Sequence, residues 1–172
     1  MGIRLTLFDE GHLPGFAAML TDADIERFTR LPVPAPPDFP RTWLERYEHG
    51  RRDGTSEAFA IVDGADRFVG CAMAFGIDAE EGQAELGYVV APAARGRGVA
   101  TAALRLLTDW GFDRGLMRLE LLISVENVPS KRVAAKCGYI HQGVLRSIHV
   151  KQAVREDLEM WSCLPSDDRT AR

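Results

Sequence analysis

A turn with two closely spaced glycines, set between a predicted strand and a predicted helix, constrains the fold of this chain most. The segment Val89–Thr101 reads VVAPAARGRGVAT, with Gly96 and Gly98 directly before the helical pattern. Such a turn directs unpaired backbone N–H groups to one point, where the helix dipole adds positive potential. A phosphate or pyrophosphate is the natural ligand of this arrangement. A tight connection with solvated arginines is the alternative interpretation.

Two common nucleotide-binding motifs do not fit the turn. A dinucleotide-binding fold requires a third glycine where this chain has Thr101, and its turn usually follows the first strand. A P-loop ends in Gly-Lys followed by Ser or Thr, and this chain has no such sequence. Both interpretations are therefore excluded.

The composition is typical of one soluble globular domain. Of the 172 residues, 46% are hydrophobic and 27% charged, which excludes a largely disordered chain. The net charge of -4 disfavours a nucleic-acid partner. No run approaches the roughly 20 apolar residues that span a bilayer, and the N-terminus lacks a signal-peptide pattern. The three cysteines lack disulfide or metal spacing, so we predict a cytoplasmic protein without a metal.

The order of predicted elements indicates an α+β fold with a mostly antiparallel sheet and one strand–helix–strand crossover. A proline-rich loop, Leu31–Pro40, either walls a site or is a plain connection. We assign residues 1–165 to one domain and 166–172 to a polar, disordered tail. Strands are predicted at 3–8, 58–63, 67–75, 83–90, 117–124, 139–150 and 157–163, and helices at 12–20, 22–30, 42–52, 99–114 and between Asn127 and Gly138.

Two motifs in this order resemble a known superfamily. Arg95–Ala100 reads RGRGVA, and one strand later Asn127–Arg146 contains NVPS, KCGY and GVLR. The first motif is similar to the acetyl-CoA signature of the GCN5-related N-acetyltransferases (GNAT), and the second to the branch that acetylates ribosomal-protein N-termini. The resemblance extends from Ile3 to about Leu164. It implies a single-domain, splayed sheet of about seven strands with helices on both faces.

The resemblance implies that acetyl-CoA is the co-substrate and lies in the gap of the splayed sheet. A backbone N–H at the end of the signature strand would polarise the acetyl carbonyl, a contact worth about 3 kcal/mol. Asn127 matches a coenzyme-contacting asparagine, and a plain helix N-cap is its other role. Lys131 and Arg132 either face the outer phosphates or are solvated. The implied coenzyme-binding residues are Tyr88, Val89, Val90, Arg95, Gly96, Arg97, Gly98, Val99, Ala100, Thr101, Asn127 and Ser130.

The resemblance also implies direct attack of a neutral amine on the thioester in a ternary complex. Ser130 matches a serine that can protonate the leaving thiolate, and a first-turn hydroxyl bonded to backbone is its alternative role. His149 occupies the position of the base, although a lone strand histidine is often structural. Glu85 is the rival base. The tyrosine acid and strand glutamate of a related branch are replaced here by Ala134 and Leu122.

Together these features predict an N-acetyltransferase acting on a protein N-terminus or a small-molecule amine. An acyl-CoA-binding sensor or interaction module without catalysis is the alternative. We expect no nucleic-acid or membrane partner, and the predicted edge strands are compatible with a homodimer. The acceptor wall is predicted from the two N-terminal helices, Leu31–Pro40 and the turn region Ser147–Glu156. The acidic residues Asp22, Asp24 and Glu26 either attract a cationic amine or form a solvated helix face.

Overall fold

One seven-stranded sheet organises the computed structural model, which describes residues 2–169. The strands are β1 (Ile3–Leu7), β2 (Ser56–Asp63), β3 (Phe68–Asp78), β4 (Gln83–Val90), β5 (Arg118–Ser124), β6 (Ile140–Lys151) and β7 (Val154–Cys163). The helices are α1 (Leu13–Met19), α2 (Ala23–Phe28), α3 (Phe39–Asp53), α4 (Val99–Asp113) and α5 (Val128–Lys136). The strand order across the sheet is β1-β2-β3-β4-β5-β7-β6.

The sheet opens between β4 and β5. These two strands are parallel and joined by the α4 crossover, whereas all other neighbours are antiparallel. Their register extends only from Gln83 to Glu85 on β4, opposite Arg118 to Glu120 on β5. Beyond that point β4 has no strand partner on its β5 edge. The predicted mostly antiparallel, splayed α+β sheet is therefore confirmed.

Two hydrophobic clusters, one on each face of the sheet, hold the helices in place. Alternate residues of a strand point to opposite faces, so Ile61 and Ala72 pack against α4 and α5, whereas Ala60 and Cys71 pack against α1–α3. The prediction of helices on both faces is confirmed. Within residues 2–169, no helix is long and apolar enough to cross a bilayer.

The structure differs from the sequence prediction chiefly in the C-terminal hairpin. Strand β6 ends at Lys151, one residue beyond the prediction, but β7 begins at Val154 rather than at residue 157, so the region 147–156 is mostly strand. The connection is only Gln152 and Ala153, both with positive φ. The longer hairpin places His149 opposite Glu156 in the strand register.

Smaller differences concern the proline-rich loop and the C-terminus. Helix α3 begins at Phe39 rather than Thr42, since proline is tolerated in a first helical turn and Pro40 stands there. Of the predicted tail, 166–169 has no helix or strand, and Leu164 N–H donates to Asp167 at 2.8 Å. Residues 170–172 lie outside the described residues.

Candidate active site

A cavity of about 1020 Å³ lies where β4 and β5 separate. This volume is that of a large small-molecule site. We distinguish two sides by the elements that line them. The turn side is lined by Tyr88, Val90, Arg95, Gly96, Gly98, Val99, Ala100, Thr101, Ser124, Asn127 and Ser130. The hairpin side is lined by Asp24, Phe28, Arg30, Arg46, Tyr47, Phe75, His149 and Glu156.

The glycine turn leaves the N-terminus of α4 open. Gly98 is the N-cap with φ 78° and ψ 3°, and Gly96 has φ 72°. Nothing lies within 4 Å of where a Cβ would stand at either glycine, so the approach to the backbone is unobstructed. No side chain between Gly2 and Arg169 caps the helix. Its first N–H groups and its dipole can therefore bind an anion such as a phosphate.

The two arginines of the turn have different environments. Arg95 donates to Asp24 Oδ2 at 3.0 Å and also pairs with Asp22, and its Nε donates to Val90 O at 3.3 Å. Arg97 is exposed, does not line the cavity and has no side-chain partner in the described part of the chain. The structure therefore differs from the predicted pair of free phosphate donors, because Arg95 holds the turn against α2.

Three other charged residues that were predicted to attract a ligand form ion pairs within the protein. Asp22 N-caps α2 by accepting Ile25 N–H at 3.0 Å, and the hydrogen bond from Arg95 holds its pKa below the ordinary value. The expected attraction of Asp22 and Asp24 for a cationic amine is thus reduced by Arg95. Lys131 Nζ contacts Glu159 at 2.9 Å and Val125 O at 2.8 Å, so its charge is not free for outer phosphates.

A tyrosine–serine pair connects the separated elements on the turn side. Tyr88 Oη and Ser130 Oγ are 2.8 Å apart, and Asn127 accepts Ser130 N–H at 3.1 Å as the N-cap of α5. Burial raises the pKa of Tyr88 to about 12, so its phenol is protonated at neutral pH. Sequence reasoning considered only the backbone of Tyr88. No local pattern indicates a contact between residues that lie 42 positions apart.

His149 has the properties of a proton acceptor. It lines the cavity, and its Nε2 atom is buried without a hydrogen-bond partner among residues 2–169. Burial lowers the pKa of His149, so its imidazole is neutral at neutral pH. A neutral imidazole with an uncommitted nitrogen can accept a proton from a bound group. Glu156, its register partner, lines the same wall.

Glu85, the rival base, lies outside the cavity wall that His149 and Glu156 share. It does not line the cavity, and both carboxylate oxygens accept from Arg30, one at 3.3 Å. Burial raises the pKa of Glu85, and the charge of Arg30 opposes that shift. Of the three predicted catalytic residues, the cavity wall thus includes Ser130 and His149 but not Glu85.

Helix α3 contributes a part of the cavity wall that the sequence does not indicate, because neither Arg46 nor Tyr47 belongs to a motif. Both line the cavity, with the Arg46 guanidinium 5.4 Å from the centroid of the Tyr47 ring. Among the described residues, no group of three or more His, Cys, Asp or Glu side chains is arranged to hold a metal.

Comparison with known proteins identifies relatives of the chain. Residues 3–140 match the family described as acetyltransferase (GNAT) domain. The protein named uncharacterized N-acetyltransferase p20 of Bacillus licheniformis is 32% identical over 114 residues, which are 65% of this chain and 64% of that protein. The chain matches 58% to 64% of the length of its curated relatives.

Two solved structures have a similar fold. RimL, a ribosomal L7/L12 alpha-N-protein acetyltransferase in complex with coenzyme A, has a TM-score of 0.87 at 18% identity, over 94% of this chain and 93% of that one. The spermidine N-acetyltransferase of Vibrio cholerae, in complex with CoA and spermine, has a TM-score of 0.84 at 20% identity, over 95% and 96%. The family match covers most of the chain, from the first strand to the start of β6. This protein therefore belongs to the acetyltransferase (GNAT) domain family.

Proposed function

We propose that this protein transfers the acetyl group of acetyl-CoA to a primary amine of a protein N-terminus or a small molecule. One observation carries the proposal: one cavity joins an open helix N-terminus to a neutral histidine whose Nε2 has no hydrogen-bond partner among residues 2–169. The first suits the phosphates of the coenzyme, and the second suits removal of a proton from the amine. Membership of the GNAT family supports the same donor.

The unpaired edge of β4 would position the acetyl group. Ala91 N–H donates to Val69 O on β3. Because the hydrogen-bonding groups of a strand alternate between its two edges, the N–H groups of Tyr88 and Val90 point to the edge that β5 leaves open. Either N–H would stabilise the developing oxyanion of the acetyl carbonyl. Val89 N–H would instead face β3.

The reaction then needs two proton transfers. The acceptor enters as an ammonium ion, and His149 takes its proton, which leaves a neutral amine. The amine nitrogen forms a bond to the acetyl carbon, the carbonyl electrons move to oxygen, and their return breaks the C–S bond. Ser130 gives its hydroxyl proton to the departing thiolate, so that CoA leaves as the thiol, and takes the second proton of the attacking nitrogen, which becomes the neutral amide. The Tyr88 hydroxyl orients Ser130.

Release of free CoA thiol in the presence of an amine panel tests the proposal. The panel contains peptides with free N-termini, polyamines, amino acids and aminoglycosides, because the neighbours' names include both a protein alpha-amine and spermidine. We expect amine-dependent thiol release and an acetylated product of the corresponding mass. Tight binding of acetyl-CoA without release for any amine would contradict the proposal and favour the acyl-CoA-binding module.

A further inference from the structure

The two carboxylates on the hairpin side of the cavity are unequally neutralised. Among cavity-lining residues between Gly2 and Arg169, the acids are Asp24 and Glu156. Asp24 is paired with Arg95 at 3.0 Å. The Glu156 carboxylate makes no salt bridge or hydrogen bond with the described residues, and it lies opposite His149 in the strand register. The charges of Lys151 and Arg27 act on it without direct contact. This side therefore offers one carboxylate without a direct ion-pair partner beside the neutral imidazole, enough for one ammonium group.

The two arginines that line the hairpin side also differ, because only one of them has a carboxylate partner among the described residues. Arg30 is committed to Glu85. Arg46 lies against the Tyr47 ring and forms no salt bridge in the described part of the chain. A guanidinium at a cavity wall is a strong, directional donor for a carboxylate or phosphate. Lys151 does not line the cavity, and its ammonium group donates to the backbone oxygen of Thr29.

We propose that the acceptor is an amine that also carries an anionic group, and that Arg46 binds this group while the amine lies at Glu156 and His149. The inference rests on the proposed function and names its acceptor class. A polyamine fits this wall poorly, because its second ammonium group would lie against Arg46 and Arg30 without a free carboxylate. The rings of Phe28 and Phe75 line the cavity on the same side and suit a short apolar spacer.

The anion has several chemical sources, and matched probes separate them. Tripeptide amides with aspartate, asparagine or lysine in the second place test a side-chain carboxylate near a protein N-terminus. An amino acid and its carboxamide test an α-carboxylate. Phosphoethanolamine and ethanolamine test a phosphate. Each anionic probe thus has a neutral counterpart of similar shape, and the lysine peptide and spermidine supply the cationic comparison.

The variants Arg46→Gln and Arg46→Glu test the assignment, with Arg52→Glu as the matched control. Arg52 is on the same helix, is exposed and does not line the cavity. In the unaltered protein we expect kcat/KM for at least one anionic probe to exceed that of its neutral counterpart about tenfold, the scale of one charge-assisted hydrogen bond. Arg46→Gln abolishes this preference through KM, Arg46→Glu reverses it towards cationic probes, and Arg52→Glu leaves it unchanged.

Binding of the same probes to the CoA-saturated protein is measured in parallel by calorimetry. Equal or better use of neutral and cationic acceptors by the unaltered protein would overturn the inference, as would a preference that survives in Arg46→Glu or disappears in Arg52→Glu. Turnover without charge preference would overturn this inference alone. Arg46-dependent binding of anionic probes without turnover of any amine would instead overturn the proposed function alone.

Discussion

The turn side and the hairpin side of the cavity are built from different parts of the chain. The turn side consists of backbone, the glycines before α4 and the capped start of α5, within two short continuous segments. The hairpin side consists of side chains that lie far apart in sequence, such as Arg30, Arg46 and His149. Long-range contacts such as that of Arg30 with Glu85 hold them in place. Backbone geometry suits a ligand common to a whole family. Side chains from separate elements can change one by one, so they suit the choice of acceptor.

The sharpest test of this comparison is His149→Gln, which removes the proposed base from the hairpin side and leaves the turn side intact. We expect kcat to fall by a factor of about 10² to 10⁴, the contribution of general base catalysis, with acetyl-CoA affinity unchanged. Thiol-release kinetics and calorimetry measure the two quantities. His141→Gln is the matched control, because His141 is exposed on the same strand and does not line the cavity.

The dependence of activity on pH provides a second test of the role of His149. Burial lowers its pKa below the ordinary 6.5, and only the neutral form accepts a proton. Activity in the unaltered protein should therefore rise as pH increases through that lowered value and be level at neutral pH. Retention of this acidic limb in His149→Gln, or a rate within threefold of the unaltered protein, would assign the base elsewhere.

The substitution Gly98→Leu tests the role of the turn side in binding acetyl-CoA. A side chain there must adopt a left-handed backbone and would cover the N–H groups of α4, each worth about 1.5–3 kcal/mol to a charged ligand. We expect acetyl-CoA affinity to fall about 100-fold or more by calorimetry. Gly115→Leu is the control, since Gly115 follows the other end of α4 with φ 84° and equally open space. Similar loss of affinity in both variants would make backbone strain, rather than anion binding, the cause.

The turn side was largely predictable from sequence because its determinants are local. The bounds of β4, the start of α4 after Gly98 and the Asn127 cap agree with the structure. Each follows from turn, capping and periodicity rules that act over a few residues. Splaying was implied by the family resemblance rather than by local rules, and the short β4–β5 register explains it.

The hairpin side was not predictable in the same way. The acidic residues at the start of α2 suggested an attraction for amines. Whether such a carboxylate is free to bind a ligand depends on partners such as Arg95, which lies 73 residues from Asp22. Glu85 was a plausible base in the sequence, yet in the structure its carboxylate is paired with Arg30. Arg46 has the sequence environment of an ordinary surface arginine. Pairings across long sequence separations decide such a site, and a single sequence does not show them.

Tyr88→Phe tests whether a side chain also matters on the turn side. Loss of the hydroxyl would leave Ser130 less well oriented, so we expect kcat to fall about tenfold, the scale of one hydrogen bond to a developing charge. The double variant with Ser130→Ala should lose little more than Ser130→Ala alone, because the two groups act together. Additive losses would contradict this coupling.

Tyr139→Phe is the matched control for that variant. Tyr139 is a buried tyrosine whose hydroxyl likewise lies 2.8 Å from another hydroxyl, that of Thr108, but neither residue lines the cavity. Both substitutions should cost about 0.5–1.5 kcal/mol of unfolding free energy, measured by urea denaturation. Only Tyr88→Phe should slow turnover. An equal loss of kcat in Tyr139→Phe would show that the rate responds to general destabilisation.

The smallest expected effect concerns Asp22, which joins the two sides by capping α2 and pairing with Arg95. Asp22→Ala removes both contacts and should cost about 1 kcal/mol or slightly more of unfolding free energy. Asp22→Asn keeps a capping oxygen and loses the ion pair, so it should cost only about 0.5 kcal/mol. Equal losses in the two variants would mean that the ion pair, and not the cap, dominates.

Unfolding measurements at low pH distinguish the helix cap of Asp22 from its ion pair. The pKa of Asp22 in the folded protein is held below its ordinary 3.8, chiefly by the hydrogen bond from Arg95. Ionisation of Asp22 therefore stabilises the fold fully above 3.8, and this stabilisation is lost as pH falls through the lowered value. The difference in unfolding free energy between the unaltered protein and Asp22→Asn should shrink over that interval, while the cap deficit of Asp22→Ala relative to Asp22→Asn persists. A difference that does not change with pH would show that the Asp22–Arg95 pair contributes nothing to the connection between the two sides.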